Sequence, residues 1–159
     1  MTKRKPNKAL VCATAIGIPL VVGAISGFAS MSGMKDFEKL NQPPLSPPGW
    51  LFPVVWTVLY VLMGISSARV YLADTRDTKP ALIVYAVQLI LNALWTPIFF
   101  GLELRLVAFI WLLMLIAAVV YMIGRFKKVD ATAGNLQFPY LIWLLFAAYL
   151  NLATFILNR

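Results

Sequence analysis

Five long stretches nearly free of charge constrain this chain more than any other feature. They run about 9–29, 48–72, 80–101, 105–124 and 134–157. A helix needs roughly 17–25 predominantly apolar residues to cross a bilayer, and each stretch supplies them. Of the 159 residues, 13% are charged and 61% hydrophobic; a soluble domain carries about 25% charge and about 45–50% apolar residues. Within lipid every backbone N–H and C=O must be satisfied internally, so spans of this kind fold as helices. No segment shows the alternating strands of a membrane barrel. The expected fold is all-α: one integral membrane bundle of five transmembrane helices over residues 1–159, with a loop over about 30–47. The odd span number and the lack of an internal repeat argue against a duplicated transporter.

A net charge of +8 invites a nucleic-acid reading until the charges are placed. Lys3, Arg4, Lys5 and Lys8 precede the first span, Arg69, Arg76 and Lys79 flank the second connection, and Arg125, Lys127 and Lys128 the fourth. The opposite ends hold only Lys35, Lys39, Arg105 and Arg159. This is the positive-inside pattern, which puts the N-terminus in the cytoplasm and the C-terminus outside. Topology accounts for the basicity; the bilayer is the expected partner and nucleic acid is not. A cleaved signal peptide is disfavoured, because the first apolar run is too long and lacks a small-x-small cleavage site. The single Cys12 has no internal disulfide partner and reads as a packing residue.

Residues 40–65 pack five prolines and three large amphipathic aromatics into the boundary between a polar loop and the second span. Pro43, Pro44, Pro47 and Pro48 fix φ and remove donors, so the loop enters its helix along a stiff, extended path. Trp50 follows, then Trp56 and Tyr60, which are four residues apart and share a helix face. In the third span Gln88, Asn92, Trp95 and Thr96 lie on one face, with Pro97 next. Amides are costly against lipid, so both should turn into the bundle. Gln88 reads as interhelical glue, worth ~0.6–2 kcal/mol. Asn92, among aromatics beside a proline, reads as a ligand contact. The fifth span carries a less lipid-like stripe of Trp143, Ala147, Leu150, Asn151 and Thr154, where Ala147 and Ala148 leave room. At about 1.5 Å per residue, Trp56 and Asn92 come ~12–14 Å inside the external boundary, Ala147 ~15 Å and Trp143 ~21 Å. Gly23 and Gly27 stand at GxxxG spacing in the first span, where packing within the bundle is favoured over a dimer seam. The expected site is a dry aromatic chamber under a proline-rich lid.

Three runs carry a resemblance: PPLSPPGWLFPVVWTVLYVLMGI from Pro43, NALWTPIFF from Asn92 and PYLIWLLFAAYLN from Pro139. Together they are similar to the TspO/MBR family, which comprises bacterial tryptophan-rich sensory proteins and the mitochondrial translocator protein, the peripheral-type benzodiazepine receptor. The resemblance covers essentially the whole chain. It implies a five-helix membrane protein, commonly a homodimer, in the bacterial cytoplasmic membrane. It further implies binding of porphyrins such as protoporphyrin IX and haem, and of benzodiazepine-receptor-type ligands, with a sensing, regulatory or tetrapyrrole-handling role. By similarity Trp56 and Trp143 match pocket tryptophans linked to porphyrin breakdown, Asn92 a polar ligand contact and Ala147 a pocket-lining small residue. Tyr60 and Trp95 match aromatic wall positions, and the loop with Pro47 and Trp50 matches the segment that closes over the pocket. The animal cholesterol pattern near the C-terminus is missing, since no basic residue follows Tyr149 before Arg159; a permissive match at Val119, Tyr121 and Arg125 leaves sterol binding open.

Three functions follow in order of support. The first is a tetrapyrrole-binding protein, with porphyrin as ligand and no obligatory cofactor. The chain has no histidine, so histidine ligation of haem iron is excluded, and no metal site is expected. The second is a light-dependent porphyrin-degrading enzyme, in which Trp56 and Trp143 would be the redox-active groups. Acid–base catalysis is poorly supported, because Asp36, Glu38, Asp74, Asp77, Glu103 and Asp130 all fall in loops or at span ends. The third is a porphyrin or sterol transporter, without the ionisable groups at membrane depth that coupled carriers use.

Overall fold

The computed structural model describes residues 7–159, so Lys3, Arg4 and Lys5 of the charge pattern lie outside the described residues. Its helices are α1 (Lys8–Ala29), α2 (Met31–Phe37), α3 (Leu51–Ala73), α4 (Thr78–Thr96), α5 (Arg105–Val129), α6 (Ala131–Asn135) and α7 (Phe138–Leu157). A π-helical turn, Pro97–Gly101, prolongs α4. Five helical segments are long and apolar enough to cross a membrane, as expected: Lys8–Ala29, Leu51–Ala73, Thr78–Gly101, Arg105–Val129 and Ala131–Leu157. The fold is all-α, and no strand occurs among the described residues.

Prolines and short polar side chains set most of the helix limits. Asn7 Oδ1 accepts the Ala9 N–H at 3.1 Å and caps α1. Asp130 Oδ1 accepts the Ala133 N–H at 2.8 Å and caps α6. Pro139 sits in the first turn of α7, where its missing N–H is tolerated. The same residue cannot continue α6, so the last span is broken near 136 instead of running unbroken from 134. Pro97 leaves the Ala93 carbonyl without its helical donor. Ser26 Oγ of α1 supplies a replacement at 2.7 Å and ties α1 to α4.

The segment expected to be a plain loop over about 30–47 opens with α2 instead. No proline precedes Pro43 there, so a helix can form. Packing secures it: the Phe37 ring lies 5.6 Å from Phe99 and 5.4 Å from Phe100. The second span begins at Leu51, not 48, because Pro48 closes a turn by accepting the Leu51 N–H at 2.9 Å.

The core runs along α5, where Leu112, Leu115, Val119, Met122 and Phe126 are fully buried. α3 stands against it in a register fixed by two contacts to the last span. Ser66 Oγ donates to the Ala133 carbonyl, and the Phe52 ring meets Trp143 at 5.9 Å. The first turn of α3 therefore lies level with Trp143, while α7 continues about 21 Å past that residue at 1.5 Å per residue. Trp56, one turn further along α3, lies against Tyr140, so it is not shallower than Trp143 and the depth order expected from counting residues is corrected. The space above the start of α3 is taken by the proline-rich lid. Tyr149 donates to the Pro44 carbonyl at 2.9 Å, and Asn158 both accepts the Asn41 N–H at 2.9 Å and donates to the Asn41 carbonyl at 3.0 Å.

Candidate ligand-binding site

The spacing of Trp56 and Tyr60 stacks their rings along α3, with centroids 5.5 Å apart and planes 30° apart. Gly23 of α1 lies flush against the Tyr60 ring; a Cβ there would come within 2.1 Å of it. Held in this way, the Tyr60 hydroxyl donates to Asn92 Oδ1 at 3.0 Å. Asn92 Nδ2 donates to the Tyr140 hydroxyl at 2.9 Å, which donates in turn to Gln88 Oε1 at 3.0 Å. The chain is directional, and each bond polarises the next. Asn92, Tyr140 and Gln88 are all buried. Trp56 closes the group from the side, its ring 6.2 Å from Tyr140 in an edge arrangement.

Tyr140 is the member that residue spacing missed. It lies one turn before Trp143 on the same face of α7, which is the signal that would have found it. Gln88 and Asn92 belong to one network, so the glue role expected of Gln88 and the anchor role expected of Asn92 are not separable.

Trp143 forms the outer wall, 5.9 Å from Phe52 and 5.6 Å from Phe146. Beside it, between α3 and α7, lies a cavity of about 510 Å³ with an entirely apolar lining that includes Val58, Leu59 and Ile142. It is a groove open on one side. The space expected between Trp56 and Asn92 is filled by the tyrosine rings, and the free volume is displaced toward α7. Ala147 is buried.

Trp95 stacks on Phe99 at 5.3 Å, and its indole N–H donates to Asn151 Oδ1 at 3.3 Å. Asn151 also donates to the Arg105 carbonyl at 2.8 Å. Trp95 thus belongs to an aromatic knot one turn along α4 from Asn92, not to the stack on α3. Pro47 is half-buried in the lid. Trp50 is 67% exposed and stands apart from the rest.

The site holds amides, phenols and indoles but no charge, since every carboxylate lies in a connection or at a helix end. Among the described residues no cluster of His, Cys, Asp and Glu is placed to hold a metal ion. Such an arrangement can bind by stacking and by a few directional hydrogen bonds.

A five-span bundle with an uncharged aromatic–amide core defines an integral membrane protein. The chain belongs to the TspO/MBR family, whose sequence pattern matches residues 15–157. It is 35% identical over 152 residues to a tryptophan-rich protein TspO of Chlorobaculum tepidum, covering 94% of this chain and 96% of that one. It is 38% identical over 149 residues to a tryptophan-rich sensory protein of Cereibacter sphaeroides, covering 91% and 87%. Similarity extends to the human translocator protein, at 34% over 129 residues, covering 79% and 76%.

Proposed function

We propose that this TspO-type membrane protein binds porphyrins, protoporphyrin IX and haem among them, and benzodiazepine-receptor-type ligands, in a sensing or tetrapyrrole-handling role. The observation that carries the reading is the Trp56–Tyr60 stack seated on Asn92, with Trp143 beside a cavity of about 510 Å³. A flat macrocycle gains from stacking on indoles, and Asn92 retains an N–H that can orient it. The positive-inside pattern supports a cytoplasmic N-terminus.

The test is a titration followed by tryptophan fluorescence, with protoporphyrin IX and haem added to wild type, Trp56→Phe and Asn92→Ala. Both variants should bind more weakly. Equal affinity in all three proteins would remove the site from this place.

Light-driven porphyrin breakdown is a second reading, favoured by one observation: Trp56 and Trp143 are the indoles beside the tyrosine network and the groove, and no charged acid or base is. An excited porphyrin and oxygen would supply the chemistry. Product formation under light should then fall in Trp56→Phe plus Trp143→Phe, and unchanged kinetics would exclude the tryptophan route.

A further inference from the structure

We propose that the site is loaded sideways from the bilayer, through the groove between α3 and α7, and not past the lid. The occupant is the flat apolar ligand itself, dissolved in the hydrocarbon layer. This inference rests on the ligand-binding reading above.

Four observations carry it. The groove walls are apolar throughout, and Val54, Val58 and Ile142 are 51%, 54% and 66% exposed on membrane-spanning helices. Lipid is what meets such a surface, so a ligand arriving there sheds no water shell. Second, α3 and α7 barely approach at the backbone. They are bridged by rings, Phe52 on Trp143 and Trp56 on Tyr140, which can rotate aside. The α1–α3 seam is different: at Gly64 a Cβ would lie 2.4 Å from the Ile16 Cα, so nothing passes there. Third, the groove is continuous with the candidate site, because Trp143 lines one and walls the other. Fourth, the lid is latched. Three hydrogen bonds from Tyr149 and Asn158 hold its backbone at Pro44 and Asn41. Opening it breaks all three bonds, whereas the groove is already open.

The experiment uses the full chain in liposomes and follows the absorbance shift of protoporphyrin IX after it is added to the lipid phase. Val58→Trp and Ile142→Trp narrow the groove at lipid-facing positions, where added bulk leaves the fold intact. Tyr149→Phe with Asn158→Ala releases the latch. Both groove variants should slow release by about tenfold, equivalent to about 1.4 kcal/mol on the access barrier, and should slow loading by at least as much. The unlatched variant should load at the wild-type rate. Wild-type loading in both groove variants would overturn the proposal, as would faster loading on unlatching. Weaker affinity with unchanged release would also overturn it, by making the groove the resting site and not a path. No absorbance shift in wild type would instead overturn the binding reading, and the portal with it.

Discussion

Both ends of the Asn92 side chain are engaged before any ligand arrives. Oδ1 accepts from Tyr60 and Nδ2 donates to Tyr140, which leaves one N–H and one lone pair outside these two bonds. The tyrosines are not equivalent. Removing the Tyr140 hydroxyl strands an Asn92 N–H and the Gln88 carbonyl oxygen, while removing the Tyr60 hydroxyl strands only the Asn92 oxygen. A stranded buried polar group costs about 1–3 kcal/mol in water-soluble proteins. Hydrogen bonds between membrane helices average ~0.6 kcal/mol, so the lower end applies. Tyr140→Phe should therefore lower stability by about 1–2 kcal/mol and Tyr60→Phe by less than half of that. Thermal unfolding in detergent measures both, and a larger loss in Tyr60→Phe would refute the order. Trp56, Tyr60 and Asn92 were legible in the sequence because helical spacing and the cost of an amide in lipid are local facts. Tyr140 was not, since its facing Asn92 depends on how far α7 slides along α4 and α3. That register is fixed by the Ser66–Ala133 contact, far along the chain from Asn92, and by the break before Pro139, whose effect on the sliding of α7 no local spacing reveals.

At the level of helices, three glycines that look alike in sequence do different things. At Gly23 an added Cβ would meet the Tyr60 ring at 2.1 Å; at Gly64 it would meet the Ile16 backbone at 2.4 Å; at Gly27 nothing lies within 4 Å. A ring at the end of a side chain can tilt, whereas a backbone cannot yield without moving a helix. Gly64→Ala should thus destabilise most, by about 1–3 kcal/mol as overpacking does. Gly23→Ala should cost less stability but weaken ligand binding, because Tyr60 leaves Asn92. Gly27→Ala should be neutral or slightly stabilising, through helix propensity. Detergent melting curves beside a porphyrin titration separate the three, and equal melting losses at Gly27 and Gly64 would show the helix seam to be elsewhere. The GxxxG spacing in the sequence marks close approach without saying which glycine makes it. Hydropathy located all five spans for the opposite reason: it sums over about twenty residues and needs no partner. α2 escaped that sum because it is short and stands only by packing Phe37 on Phe99 and Phe100.

Across the whole molecule the two ends are held by different chemistry. At the lid end neutral contacts from Asn158 and Tyr149 join the lid to α7, and the ion pairs there, Lys39 to Asp36 and Arg105 to Glu103, only link residues two or three apart in the chain. The basic end relies on ion pairs: Arg69 to Asp130 at 2.8 Å and Arg125 to Asp77 at 3.2 Å, each joining one helix end to the start of another. Burial works to raise the Asp130 pKa, but the Ala133 N–H and Arg69 outweigh it and hold the carboxyl below its ordinary value. The folded protein therefore binds this proton less readily than the unfolded chain does. Its contribution is complete above the ordinary carboxylate range and disappears as pH falls through that range and below. Melting temperature in detergent should stay level from neutral pH down to about pH 5 and then decline. Asp130→Asn keeps a side chain able to cap α6 but has no proton to take up, so its curve should start lower and fall less steeply. Parallel curves for the two proteins would show that the loss in acid arises elsewhere. Protection of the Asn41 amide from hydrogen exchange, taken relative to the intrinsic exchange rate at each pH, should not change over the same interval, because the bonds that hold Asn41 and Pro44 to α7 involve no carboxylate. Opening of the lid in step with the melting decline would instead mean that the ends are coupled through α7.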